Sequence, residues 1–379
     1  MQRTEYPLLS PSLGSHKTLV GFHFGTRGAR PKVYIQASLH AEELPGMLVA
    51  HHLRERLEAA DKAGRLRGEV VLVPAANPIG LAQRLDHKPM GRFEFDTAQN
   101  FNRHYPDMAA AVLEEAKTSL GPDAQANVAT VRRLVGAWLD QWAPASELES
   151  LRRQLLRLSH DADLVLDLHC DTEAVIHLYS EEACWPPFEP LARLLGCQAV
   201  LLARESGGGP FDERLSGLWW QLAAALKEAG VDAPLPQACA STTVELRGES
   251  EVSHSLARAD AQAIFGFLEH AGAVAAPAPP ALPPMACQPT PLAGSQTLRS
   301  PVPGVLVFLV QAGAVLAAGD VVAEVIDPTA AGQARVHAVR AEVAGVLYAM
   351  VRERYVVAGG EVGKIAGATP FRSGDLLGA

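Results

Sequence analysis

The chain has 379 residues, of which 48% are hydrophobic and 20% charged, and its formal net charge is −9. This length suffices for two domains with full hydrophobic cores, and the composition is typical of globular proteins. The acidic balance and the lack of a Lys/Arg run argue against nucleic-acid binding. No stretch approaches the roughly 18 apolar residues that span a bilayer, which argues against a membrane protein.

The N-terminal segment has neither the apolar region nor the small-residue cleavage site of a secretory signal, so we expect a cytoplasmic protein. The five cysteines are odd in number and form no CxxC pair. They therefore predict neither a disulfide framework nor a thiolate zinc site, but reduced and mostly buried thiols.

Between residues 17 and 270 the sequence alternates strand-like with helix-like segments. Apolar and β-branched runs predict strands at 18–25, 31–39, 68–78, 163–171, 197–203 and 241–248. Helical spacing of apolar residues predicts helices at 44–64, 146–162, 217–230 and 256–272. Residues 107–150 are Ala-rich and helix-prone, which predicts a helical insertion. The pattern predicts an α/β fold with a mostly parallel mixed sheet flanked by helices.

A Pro/Ala-rich segment at 273–291 ends this alternation. It cannot continue a helix or a central strand, and therefore predicts a linker. The predicted domains are a catalytic domain at 1–272 and a C-terminal β-sandwich domain at 292–379.

The C-terminal domain contains an internal repeat, in which residues 304–321 align without gaps on residues 345–362. Two similar β-units resemble the lipoyl/biotinyl-type barrel-sandwich hybrid, which implies a small all-β domain. Such domains carry a prosthetic group on a lysine between the two halves, but the connecting segment 325–342 has no lysine. We therefore expect a structural role, or a role in shaping the entrance to the other domain's site.

Polar side chains lie where the predicted strands end. His40 and Glu43 follow the strand at 31–39, and His169 lies near the end of the strand at 163–171. In open α/β sheets ligands gather at the carboxyl ends of strands, and imidazole with carboxylate is a good zinc ligand pair. A catalytic zinc site typically needs three protein ligands, so His169 is a candidate third ligand.

Five short motifs occur in the order and approximate spacing of the zinc carboxypeptidase fold: "HAEELPG", "NPIG", "NFNR", "DLHCD" and "TVELRG". Over roughly residues 17–270 the set more closely resembles the succinylglutamate desuccinylase/aspartoacylase family, in which an appended β-domain also occurs. The resemblance implies that His40, Glu43 and His169 bind one Zn²⁺ per chain. It also implies that Glu245, at the end of an apolar β-branched run, is the general base.

The same resemblance implies residues that contact the substrate. Asn102 and Arg103 match the family's pair that grips the carboxylate of the amino-acid part, for which the planar fork of arginine is well suited. Arg92 lies where the superfamily places an arginine that polarises the scissile carbonyl, and Arg84 is its rival.

We therefore expect a zinc-dependent deacylase that hydrolyses the amide bond of a small N-acylated amino acid, with N-acetyl-diaminobutyrate deacetylase-like enzymes as one subgroup. Two alternatives stay open. A zinc carboxypeptidase acting on short peptides would be favoured by a wide groove. A non-catalytic binding or carrier protein is disfavoured by the absent lysine and by the presence of each expected catalytic residue type. A homo-oligomer is compatible with the sequence.

Overall fold

The computed structural model describes residues 1–377, and these form a large mixed α/β sheet flanked by helices, followed by antiparallel sheets. This confirms the predicted fold class. The helices are α1 (Pro45–Lys62), α2 (Pro78–Ala82), α3 (Met108–Ser119), α4 (Ala124–Gln141), α5 (Glu147–Ser159), α6 (Trp185–Leu195), α7 (Phe211–Glu228) and α8 (His254–His270).

The strands up to the end of the large sheet are β1 (Gln2–Pro7), β2 (Thr18–Phe24), β3 (Lys32–Ala37), β4 (Glu69–Val73), β5 (Arg84–Leu85), β6 (Lys88–Pro89), β7 (Leu164–Asp171), β8 (Glu173–Ala174), β9 (His177–Glu181), β10 (Ala199–Ala203), β11 (Ala240–Gly248) and β12 (Thr290–Pro291). Nine of them form the large sheet in the order β1-β2-β4-β3-β7-β11-β9-β10-β12. Strands β4, β3, β7 and β11 are parallel neighbours, as are β9, β10 and β12.

The large sheet also contains strands that the sequence pattern did not predict. Strand β1 pairs antiparallel with β2 at one edge, and β9 inserts antiparallel between β11 and β10. Helix α6, which connects β9 to β10, was also missed. The antiparallel pairing of β9 reverses the strand direction beside the central parallel strands, which a sequence of alternating elements does not reveal.

The alternation of side chains along β7 divides the interior into two cores. Leu166 and Leu168 face the core on the side of α1, α6 and α8, while Val165 faces the core on the side of α3, α4, α5 and α7. Asp167 and His169 alternate with the leucines and lie on the same side of β7 as Val165, and both are buried near the end of the strand. The strand therefore supplies apolar packing along its length and polar groups only where it ends.

Side-chain caps begin the helices of the predicted insertion and its neighbours. Asp107 and Asp123 accept backbone N–H bonds at the starts of α3 and α4, and Ser146 and Ser253 do so for α5 and α8. Each cap satisfies an N–H group that has no partner within its helix. Residues 107–150 thus form two helices and the start of a third.

The C-terminal strands are β13 (Ser295–Arg299), β14 (Gly304–Phe308), β15 (Val315–Leu316), β16 (Val321–Ile326), β17 (Val336–Arg340), β18 (Gly345–Met350), β19 (Tyr355–Val356) and β20 (Glu361–Gly367). They form two sheets, in the orders β13-β20-β18-β15 and β17-β16-β14-β19. The first strand of each repeat pairs with the second strand of the other, β14 with β19 and β18 with β15. The two sequence repeats thus pair with each other through their strands. The resemblance to the lipoyl-type domain stays a prediction.

The Pro/Ala-rich segment lies against the helices of the large sheet. Arg193 of α6 donates to the carbonyl oxygens of Leu282 and Pro283, and β12 at its end pairs with β10. The C-terminal sheets contact the large sheet directly as well, since Tyr348 packs against His177 with ring centroids 5.0 Å apart. These contacts bring the C-terminal strands next to the carboxyl ends of β7 and β11.

All five cysteines are unpaired and four are buried, as the sequence predicts. No helix within residues 1–377 is both long and apolar enough to cross a membrane.

Leu166 offers a test of the core beneath the site. Its side chain is fully buried in β7, so we expect Leu166→Ala to lower the free energy of unfolding by about 2–5 kcal/mol through lost contacts and a residual cavity. Urea unfolding measures this loss. The matched control is Leu13→Ala, because Leu13 is fully exposed and its truncation should change stability by less than about 0.5 kcal/mol. Equal losses for the two variants would contradict this packing.

Candidate metal centre and active site

The candidate site lies at the carboxyl ends of three adjacent parallel strands. β3 leads into the loop with His40 and Glu43, β7 carries His169 two residues before its end, and β11 carries Glu245. Glu245 is paired in register with His169 on the neighbouring strand. The strand order therefore brings together residues that are far apart in the sequence.

His40, Glu43 and His169 converge, and each is less than 5% exposed. The Nδ1 atom of His40 lies 2.9 Å from Oε1 of Glu43, and the Nδ1 atom of His169 lies 2.7 Å from Oε2 of the same carboxylate. The two imidazole rings have centroids 4.9 Å apart. Ligand atoms of all three residues lie within 4.8 Å of one another, as binding of one metal ion requires.

The opposite nitrogen of each imidazole has its own partner. Nε2 of His40 lies 2.8 Å from Oδ1 of Asn100, and this oxygen also accepts the backbone N–H of Asn102 at 2.8 Å. Nε2 of His169 lies 3.1 Å from Oδ2 of Asp167. The acceptor oxygen of Asn100 places a proton on Nε2 of His40 and leaves its Nδ1 to act as a ligand atom, and the carboxylate of Asp167 favours the same arrangement at His169.

The charges of the site favour a cation. Burial and the nearby Arg92 guanidinium lower the pKa of His40 to about 4. Burial alone lowers the pKa of His169, but the carboxylates of Asp167 and Glu43 outweigh burial and raise this pKa well above its ordinary value. A proton on His169 thus offsets the buried negative charge of the carboxylates. A metal cation bound at Nδ1 would take over this role, and the proton would be released. Two imidazoles and a carboxylate fit Zn²⁺ in the donor types that it prefers.

Glu245 faces the same site from the next strand. Burial, followed by the negative charge of Glu43, raises the pKa of Glu245 to about 8. Its Oε2 atom is buried, and within residues 1–377 it accepts no hydrogen bond. A buried carboxylate oxygen without a partner is costly, so this atom is poised to bind a group that enters the cavity.

The two candidate arginines differ in position. Nη1 of Arg92 lies 3.3 Å from both Nδ1 of His40 and Oε1 of Glu43, and Arg92 lines the cavity. Arg84 is exposed on the short strand β5 and does not line this cavity. The structure thus places Arg92 beside the predicted ligands and Arg84 away from them.

Asn102 and Arg103 both line the cavity and are both buried. Oδ1 of Asn102 accepts the backbone N–H of Phe211 at 2.9 Å, and its Nδ2 lies 3.4 Å from Nε2 of His169. Asn102 therefore connects the start of α7 to a predicted metal ligand. Arg103 packs against Gly208, where an added Cβ would lie 2.6 Å from its Cδ.

The C-terminal sheets form one wall of the cavity, which has a volume of about 1340 Å³. Lys364 of β20 donates to Asp171 at the end of β7 over 3.1 Å, and Arg352 pairs with Glu249 just after β11. Burial lowers the pKa of Lys364, but the neighbouring Asp171 and Glu361 carboxylates together with Tyr348 outweigh burial and raise this pKa. The appended strands therefore contribute side chains to the site, in line with the expected role in shaping its entrance.

Sequence reasoning missed Asn100 and Gln36, which help to hold the ligands and their partners in place. Asn100 orients His40, and Asp167 is itself held by Gln36, whose Nε2 donates to it over 3.0 Å. Tyr34 donates in turn to Gln36 over 2.9 Å. A polar pair such as Tyr34 and Gln36 in an otherwise apolar central strand was an available signal, whereas nothing local singled out Asn100.

The sequence profile of the succinylglutamate desuccinylase/aspartoacylase catalytic domain matches residues 29–271. The match covers more than half of the chain, and the protein therefore belongs to the succinylglutamate desuccinylase/aspartoacylase family. No curated protein matches the chain.

Solved structures share the whole architecture, including the C-terminal sheets. A protein of this family from Shewanella amazonensis is 26% identical, with a TM-score of 0.83 over 97% of this chain and 98% of that chain. One from Shewanella frigidimarina is 24% identical, with a TM-score of 0.82 over 97% of each chain. The product-bound ectoine utilization protein EutE (DoeB) from Ruegeria pomeroyi is 17% identical, with a TM-score of 0.65 over 97% and 95%.

Asn100 provides a test of the site that leaves the three predicted ligands intact. Asn100→Ala removes the acceptor for Nε2 of His40, so we expect zinc affinity to fall by about 10–100-fold. Competition with a chromophoric chelator measures the dissociation constant. Asn100→Asp retains an acceptor oxygen and should bind zinc more tightly than the alanine variant. Wild-type affinity in Asn100→Ala would remove Asn100 as a positioning residue.

Proposed function

We propose that this protein is a zinc-dependent deacylase that hydrolyses the amide bond of a small N-acylated amino acid. The observation that supports this most directly is the convergence of His40, Glu43 and His169 beside the unpartnered carboxylate oxygen of Glu245. Two imidazoles and a carboxylate leave a fourth position open, which a catalytic zinc requires. Membership of the family supports the reaction class.

In this proposal the residues of the chain have separate tasks. A Zn²⁺ ion, when bound, supplies Lewis acidity for water and for the acyl carbonyl. Glu245 takes a proton from the attacking water and later returns it to the leaving nitrogen, so that the C–N bond breaks as a carboxylic acid and an amine form. The guanidinium of Arg92, beside the ligands, stabilises the negative charge that develops on the carbonyl oxygen.

The amino-acid part of the substrate requires a separate anchor. Arg103 lines the cavity next to Asn102, and its planar fork can bind a carboxylate through two parallel hydrogen bonds. Asn102 uses its amide oxygen to bind Phe211, so we assign it the positioning of α7 and His169 in addition to any contact with substrate.

The volume of the cavity also favours a second candidate function, that of a carboxypeptidase acting on short peptides. A volume of about 1340 Å³ exceeds the roughly 300–1,000 Å³ of most small-ligand pockets. A short peptide or a bulky acyl group would use this space better than an acetyl amino acid. The same catalytic residues would serve a carboxypeptidase, so the two functions differ only in which substrate the protein hydrolyses.

A hydrolysis screen of the zinc-loaded protein tests the proposed function. N-acetyl and N-succinyl amino acids, including N-acetyl-diaminobutyrate, are compared with dipeptides, and release of the free amine is measured. We expect turnover of acyl amino acids, and Glu245→Gln should retain zinc while kcat falls by about 10²–10⁴-fold. Cleavage of dipeptides alone would favour the carboxypeptidase. Undiminished turnover by Glu245→Gln would remove Glu245 as the base.

Arg103→Lys tests the anchor for the substrate carboxylate. Lysine keeps the charge but loses the planar fork, so we expect KM to rise by about 10-fold with a smaller change in kcat. Steady-state kinetics on the best acyl amino acid from the screen measures both constants. Arg84→Lys is the matched control, because Arg84 lies outside the cavity. An unchanged KM in Arg103→Lys would reject this role.

A further inference from the structure

A second group of metal-binding side chains lies on helix α1, on the residues His51, His52 and Glu55. Nε2 of His51 lies 3.5 Å from Oε1 of Glu55, and Nδ1 of His52 lies 3.3 Å from Oε2 of the same carboxylate. The i,i+4 and i,i+3 spacings bring both imidazoles to this carboxylate on the helix surface. The group shares no residue with the candidate active site.

A residue of another helix holds one of these imidazoles in place. Nδ1 of His254, the first residue of α8, lies 3.0 Å from Nε2 of His52. The His52 side chain is only 4% exposed, while those of His51 and Glu55 are 47% and 60% exposed. When His52 donates its Nε2 proton to His254, its Nδ1 lone pair faces the Glu55 carboxylate. This is how a metal-binding histidine is usually oriented by a neighbour.

We propose that His51, His52 and Glu55 form a second site for a divalent transition metal, with Zn²⁺ as the ion to test and His254 as the residue that positions His52. The donors are two imidazoles and one carboxylate, a set that suits zinc and leaves a position for water. This inference does not rest on the proposed function.

Two of the three separations between ligand atoms already match tetrahedral zinc, and all three lie within 4.8 Å. Tetrahedral zinc with bonds of about 2.0–2.2 Å separates its ligand atoms by roughly 3.3–3.6 Å. The separations from Glu55, 3.5 Å to His51 and 3.3 Å to His52, lie in this interval. Because His51 and Glu55 are exposed, small rotations of their side chains can complete the coordination.

The charges at this position also suit a cation, although less strongly than in the buried active site. The Glu55 carboxylate carries a negative charge at neutral pH and faces both imidazoles, and the positive charge of Arg258 acts on the same carboxylate. Arg258 itself repels a metal ion. We therefore expect weaker zinc binding here than at His40, Glu43 and His169.

The proposed metal site lies on α1, which His52 joins to α8 through His254, and both helices follow strands of the active site. α1 begins at Pro45, directly after the loop of His40 and Glu43, and α8 begins at His254, shortly after β11 with Glu245. His52 and His254 are 202 residues apart in the sequence and meet only in the folded protein. Zinc at this site would therefore bind the native state and stabilise it.

Zinc uptake by the full chain tests this proposal. Equilibrium dialysis at fixed free Zn²⁺, followed by elemental analysis, should give two zinc ions per wild-type chain and one for the double variant His51→Ala with Glu55→Gln. His87→Ala removes another exposed histidine and should still bind two. His169→Ala should lose the active-site ion and keep the second, so failure at one site is distinguishable from failure at the other.

Two further measurements separate the second site from incidental histidine binding. His254→Ala should weaken the second zinc by about 10-fold while keeping its stoichiometry, and unchanged affinity would contradict the positioning role. Zinc should raise the melting temperature of His169→Ala, but not that of the same protein carrying His51→Ala and Glu55→Gln as well. The proposal is overturned if the double variant takes up as much zinc as the wild type. It is also overturned if the wild type binds one ion that His169→Ala abolishes.

Discussion

The structure of the site depends on one buried carboxylate, Glu43, which faces the Nδ1 atoms of two imidazoles at 2.9 Å and 2.7 Å. The other nitrogen of each imidazole lies close to an acceptor, the Asn100 amide oxygen for His40 and the Asp167 carboxylate for His169. A cluster of acceptors in a buried place must be compensated by positive charge, which either a proton or a metal ion can provide. The surrounding protein therefore favours a cation at this point before any substrate arrives.

The central strands explain how this arrangement is kept rigid. Along β7, Leu166 and Leu168 face an apolar core, whereas Asp167 and His169 belong to the other face, where Gln36 of the adjacent strand donates to Asp167. Ligands that project from the ends of packed strands have little freedom to move. The packed core thus helps to fix the positions of the ligands.

The C-terminal sheets are connected to the chemistry by charge as well as by packing. Lys364 is bound to Asp171, which lies two residues beyond His169, and Arg352 is bound to Glu249, which lies four residues beyond Glu245. Both contacts join residues at or just after strand ends of the large sheet to the C-terminal domain. They form part of the wall of a cavity that would otherwise be open on this side, and they make the appended strands a part of the pocket.

The sequence by itself predicted most of the central strands and helices, the repeat, and the candidates His40, Glu43 and His169, because side-chain periodicity and polar residues at strand ends are local features. The role of Glu245 was implied by the family resemblance. The tertiary structure alone decided that β9 runs antiparallel beside β11, that Arg92 and not Arg84 approaches the ligands, and that Asn100 orients His40. Only the fold joins His52 to His254. These facts depend on distances between residues far apart in the chain, which packing sets and no local pattern encodes.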